Sequence, residues 1–152
     1  MQPTLLKNVN VYKGSTVALE STIINSNIVN MAGYEGCMFI AVGSTLWAAS
    51  SSITMRVQGS TANSTTAMVS YGTTVGVINT TALGAAGGTD KLLVLDCYRP
   101  TEQYIRAQIT GTSSGSANWV IVQYGPRRGG SSALNASTML TASTAYAGGS
   151  TA

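Results

Sequence analysis

Asp96 and Glu102 are the two carboxylates best spaced to share a site, because they flank one turn, Arg99-Pro100-Thr101. A carboxylate pair can run glycoside hydrolysis, one group as acid and the other as base or nucleophile. The simpler reading is ionic: Glu102 pairs with Arg99 across the turn, and Asp96 with an arginine on an adjoining strand. A hydrolase triad would lack its base, since the chain has no histidine. Lys7, Lys13 and Lys91 sit in or beside candidate strands with no motif for a Ser–Lys dyad. Residues 84–88 (GAAGG) are glycine-rich, but no Lys-Ser/Thr and no helix follows, so they form no phosphate loop. The residues therefore point away from an enzyme, with no catalytic residue, metal or cofactor expected.

Cys37 and Cys97 both lie inside apolar runs, CMFIAV and LLVLDCY. They read as two buried thiols acting as small hydrophobes, with a disulfide between core strands as the alternative. Two ligands without histidine make a poor metal site. Trp119, inside NWVIVQY, reads as core. Trp47, in a loop-like stretch, is the better candidate to stack on a sugar.

The elements that must position these residues have a period of two. In ITMRVQGS, Ile53, Met55 and Val57 face one way, and Thr54, Arg56 and Gln58 the other. In QYIRAQIT, Ile105, Ala107 and Ile109 oppose Tyr104, Arg106 and Gln108. TVALESTII puts Val17, Leu19 and Ile23 on one side. Three further runs are apolar on both faces: 36–43, 91–98 and 118–125. Strands of that kind are buried on both sides, yet nothing here supplies covering helices. Their second face must be covered by a loop of the chain or by a neighbouring subunit.

Turn residues recur at strand-length intervals, which predicts about eight strands: 4–12, 16–24, 37–42, 53–59, 66–71, 91–98, 103–110 and 117–124, with 74–79 as a ninth or a loop. The last three are expected to follow one another through turns at Arg99-Pro100 and at residues 111–116. The fold class is all-β: an antiparallel β-sandwich, jelly-roll or related Greek key, over residues 1–128. Residues 129–152 carry no charge and read as an extended Ala/Ser/Thr/Gly-rich C-terminal arm.

Charge is scarce. Eight Lys+Arg and five Asp+Glu amount to 9% of 152 residues, against 38 Ser and Thr, where about a quarter of an ordinary soluble chain is charged. Such a surface is cheaply packed against other protein and reads as a subunit of an assembly. The net charge of +3 is too small and scattered for a nucleic-acid footprint. No apolar run reaches the length of a membrane span. The opening residues lack the basic end and apolar segment of a signal peptide, so synthesis in a cytosol is expected. Against this background the grouping of Tyr98, Arg99, Arg106, Tyr124, Arg127 and Arg128 stands out. Tyrosine and arginine are enriched at interface hot spots, so these six are the candidate partner-binding residues.

The sequence from Asp96 to Arg127 also carries a resemblance. Asp96, Tyr98, Arg99 and Pro100, then Tyr104, Ile105 and Arg106, then Tyr124, Gly125, Pro126 and Arg127 resemble a pattern in small accessory virion proteins of tailed bacteriophages. The resemblance implies a non-enzymatic capsid cement, or decoration, protein made in the bacterial cytoplasm. Such a protein would be a homo-oligomer, commonly a trimer of β-sandwich or jelly-roll subunits. It would bind the major capsid protein on the outer face of the virion, with the C-terminal arm reaching neighbouring subunits. A receptor- or glycan-binding appendage of the head or tail is the alternative.

Overall fold

The computed structural model describes residues 9–14, 17–45, 53–71, 78–80 and 92–126. Among them lie nine strands and a single 3-10 turn at Thr65–Ala67. The strands are β1 (Val9–Lys13), β2 (Val17–Asn25), β3 (Val29–Asn30), β4 (Tyr34–Thr45), β5 (Ile53–Ser60), β6 (Val69–Ser70), β7 (Ile78–Thr80), β8 (Leu92–Tyr98) and β9 (Tyr104–Pro126). All pairings are antiparallel. The N-terminal residues 1–8, Trp47, Lys91, Arg127, Arg128 and the expected arm at 129–152 lie outside the described residues.

β9 organises the fold. It runs unbroken for 23 residues, and every other strand pairs with it or with one of its neighbours. The N-terminal arm β1-β2-β3 lies along one edge of β9 for its whole length. On the other edge, β4 takes the second half of β9 and β5 takes the first. β8 extends the sheet beyond β4, and β6 and β7 extend it beyond β5. The two halves fold face to face as an all-β sandwich.

The core follows from the alternation. Met55, Val57, Ile105, Ala107 and Ile109 project inward from one half, and Cys37, Phe39, Ala41, Leu93, Leu95, Trp119 and Ile121 from the other. Fully burying a side chain of that size contributes about 1.5–3 kcal/mol. Trp119 is completely buried, as its apolar setting suggests.

The expected turn at 111–116 is instead extended backbone, which merges the expected strands 103–110 and 117–124. A tight two-residue hairpin there would need a residue in the left-handed region, and the positive-φ glycines among the described residues are Gly33 and Gly125. Thr112 favours a strand, and none of residues 112–114 is a Gly, Pro, Asp or Asn that would oppose one. The bend is absorbed in the partners by register shifts between Val17 and Ile23 on β2, and between Gly43 and Thr45 on β4, since an irregular register bends and twists a strand. The shift on β2 also reverses its phase. Ile23, expected on the face of Val17 and Leu19, is 46% exposed, and Ile24 is the core residue.

Two further expectations need correction. β8 was expected to pass through a turn into 103–110; the turn is there, yet β8 pairs with β4 and not with that strand. The turn at Arg99-Pro100 carries the chain from one sheet to the other. The expected strand at 66–71 shortens to Val69–Ser70, because the 3-10 turn occupies its start.

Candidate functional site

The three runs apolar on both faces become adjacent strands: β8, β4 and the second half of β9. Their inner face joins the core. Their outer face forms rows that the register defines: Val11–Val122–Met38–Asp96, Lys13–Val120–Ile40–Val94, and Asn118–Val42–Leu92. Leu92 and Val94, on the outermost strand, are 61% and 44% exposed. Among the described residues β8 pairs with β4 alone. A strand at the end of a sheet that carries exposed aliphatic side chains is a template for association.

At one end of this face three chain segments meet: the end of β8, the start of β4 and the end of β9. Gly36 opposes both Tyr98 and Tyr124. A Cβ on Gly36 would lie 2.1 Å from the Tyr124 ring, so only glycine lets that ring cross β4. Having crossed, the Tyr124 hydroxyl donates to Asp96 Oδ1 at 2.7 Å. Burial, followed by this carboxylate, pushes the Tyr124 phenol above its ordinary value.

Arg99 takes the left-handed backbone conformation, φ +50°. Its amide donates to the Glu35 carbonyl at 2.7 Å, its guanidinium reaches the Glu35 carboxylate at 3.5 Å, and it stacks over the Tyr98 ring at 5.1 Å. These contacts correct both ionic expectations. Arg99 pairs with Glu35 rather than Glu102, because its left-handed backbone returns the chain to the start of β4. Asp96 accepts from Tyr124 rather than from an arginine. Glu102 uses its backbone amide to donate to the Tyr71 hydroxyl at 3.1 Å.

The structure thus brings together Tyr98, Arg99 and Tyr124, and places Arg106 elsewhere. Arg106 lies on the other sheet, 9% exposed, with Nε donating to Gln58 Oε1 at 2.7 Å. Desolvation lowers its pKa. Arg56 is held in the same manner, by Gln108 at 3.0 Å and Thr110 at 3.3 Å, and Gln108 in turn donates to Asn25. The face opposite Met55 and Ile105 is therefore a ladder of arginines oriented by neutral amides.

Two cavities flank the 98–103 turn. One, of about 290 Å³, is lined by Val57, Tyr71 and residues Asp96 to Thr101. The other, of about 330 Å³, lies between Met31–Tyr34 and Pro100–Gln103. Among the described residues no cluster of His, Cys, Asp or Glu is placed to hold a metal ion, and no helix is long and apolar enough to cross a membrane.

Sequence reasoning missed Glu35, Gly36 and Tyr71. Gly36 alone carried a signal, since an isolated glycine at the head of an apolar strand marks close approach by a neighbour. Compared with protein-family models and with curated proteins, the sequence finds no match in either.

Proposed function

We propose that this chain is a structural virion protein that binds the outer surface of a phage capsid and stabilises it by adhesion. The observation that carries the reading is the apolar outer face of β8, β4 and β9, on which Leu92 and Val94 are exposed. In a chain so poor in charge, that face gains most by being covered, and burial contributes about 25 cal/mol per Å² before association costs. The resemblance of residues 96–127 to phage accessory proteins supplies the partner, the major capsid protein. Self-association, with a trimer as the expected form, uses the same kind of surface, and repetition over a shell adds avidity. Tyr98, Arg99 and Tyr124 are the polar anchors at the end of that face, and Arg127 and Arg128, which follow in the sequence, remain candidates by residue type. The experiment compares heat and osmotic survival of heads with and without added protein. Survival should rise with the protein present, and equal survival removes the stabilising role.

A second reading is favoured by the cavity beside Tyr98. An exposed tyrosine next to Asp96, Arg99 and Tyr71 is suited to a sugar ring, as a receptor-binding appendage would require. Binding on a glycan array that is lost in Tyr98→Ala would support it over adhesion.

A further inference from the structure

We propose that Cys37 and Cys97 are a latent disulfide, which a small-molecule disulfide converts into an internal bond between β4 and β8. The inference stands apart from the capsid reading, and its test uses the isolated chain.

Cys37 and Cys97 are direct cross-strand partners, between Gly36–Tyr98 and Met38–Asp96. Opposed residues of an antiparallel ladder share a face, with Cα atoms about 4.5 or 5.5 Å apart. Both spacings fall within the roughly 4.4–6.8 Å that a disulfide tolerates. The thiols are unbonded. Closure therefore needs no change of strand register.

The surroundings assign an order to the two thiols. Cys97 is half-buried and lines the 290 Å³ cavity below the Tyr98–Thr101 turn. Cys37 is fully buried and lines no cavity described. Cys97 is therefore the entry thiol and Cys37 the resolving one. The Cys97 thiolate attacks one sulfur of the small disulfide, forms a mixed disulfide and expels one small thiolate. Cys37 gives up its proton and attacks Cys97 Sγ, which expels the second. Two protein thiols are oxidised, and the small disulfide is reduced to two thiols.

Burial pushes the Cys97 thiol up to about 11 and Cys37 higher still. The reaction is accordingly slow at neutral pH. Well below its pKa, the thiolate fraction rises tenfold per pH unit, so the rate should climb by about 100-fold between pH 7 and pH 9.

The test incubates the full chain with oxidised glutathione at both pH values. Mass spectrometry and non-reducing peptide mapping follow, with urea-unfolded chain as the control for reagent activity. The expected product has lost two hydrogens and yields one cross-linked peptide containing both cysteines. Cys37→Ala should stop at a stable glutathione adduct on Cys97. The wild-type map decides even if that variant does not fold. An adduct that persists on wild-type Cys97 overturns the proposal. So does a folded chain that stays unreacted while the unfolded control reacts.

Discussion

The Tyr124 hydroxyl crosses an entire strand to reach Asp96, donating at 2.7 Å over the bare Cα of Gly36. One bond thus ties the end of β9 to β8, two strands away. Tyr124→Phe removes the donor and leaves the ring, and should cost about 1 kcal/mol. Gly36→Ala forces the ring to move, and should cost about 2 kcal/mol or more. Urea denaturation of the two variants checks both values and their order.

Stability should fall on the alkaline side. Cys37, Cys97, Tyr71 and Tyr124 all hold their protons more tightly folded than unfolded. Their contribution is complete below the unfolded thiol value of 9.0. It is lost as the pH rises, through Cys97 at about 11. Tyr124→Phe should flatten the part of the decline above 10.0, where an unfolded tyrosine ionises. Denaturation midpoints at a series of pH values from neutral to alkaline give the slope. A midpoint that rises across this range would contradict the assignment.

The outer face offers a separation of folding from binding. Val94→Glu places a charge on an exposed edge position, so its effect on monomer stability should stay within about 0.5 kcal/mol. The proposed capsid binding and self-association should both be lost, because a charge would have to be buried unpaired. Co-sedimentation with capsids and mass in solution are the readouts.

Much of this face was legible from the sequence. The two-sided apolar character of 36–43, 91–98 and 118–125 marked strands whose second face needs a cover, and these three became neighbours. Their adjacency was not legible, because alternation assigns faces but not partners. Residues 111–116 misled for a physical reason. Glycine and serine suit both a turn and a bent strand, and the choice was made by pairing to β2 and β4. The site itself was half visible. Tyr98, Arg99 and Tyr124 stood out by type, whereas Glu35 and Gly36 entered through a strand pairing that local sequence does not encode.

Arg106 and Gln58 should behave as one unit. Gln58→Leu leaves the guanidinium of a largely buried arginine without its Nε partner, and should cost about 1–3 kcal/mol. Adding Arg106→Leu should recover part of that loss, giving a coupling well outside the error of additive sites. Chemical denaturation of the two singles and the double completes the cycle.

Arg99→Gly sets one gain against two small losses. Glycine relieves a left-handed backbone that costs an L-residue about 1–2 kcal/mol. It also removes a solvent-exposed pair with Glu35, worth about 0–1 kcal/mol, and the stacking on Tyr98, worth about 0.5–1 kcal/mol. Thermal stability should therefore change little, while the proposed capsid affinity falls. Unchanged affinity would take Arg99 out of the contact set.

The unbroken β9 has a mechanical meaning. Both halves of the sandwich hang on one spine, with a contour of about 70 Å at strand rise. Tension applied along that spine loads many backbone hydrogen bonds side by side, in shear, instead of unzipping them one after another. A molecule strung in this way can act as a tie-rod between the surfaces that grip its two ends.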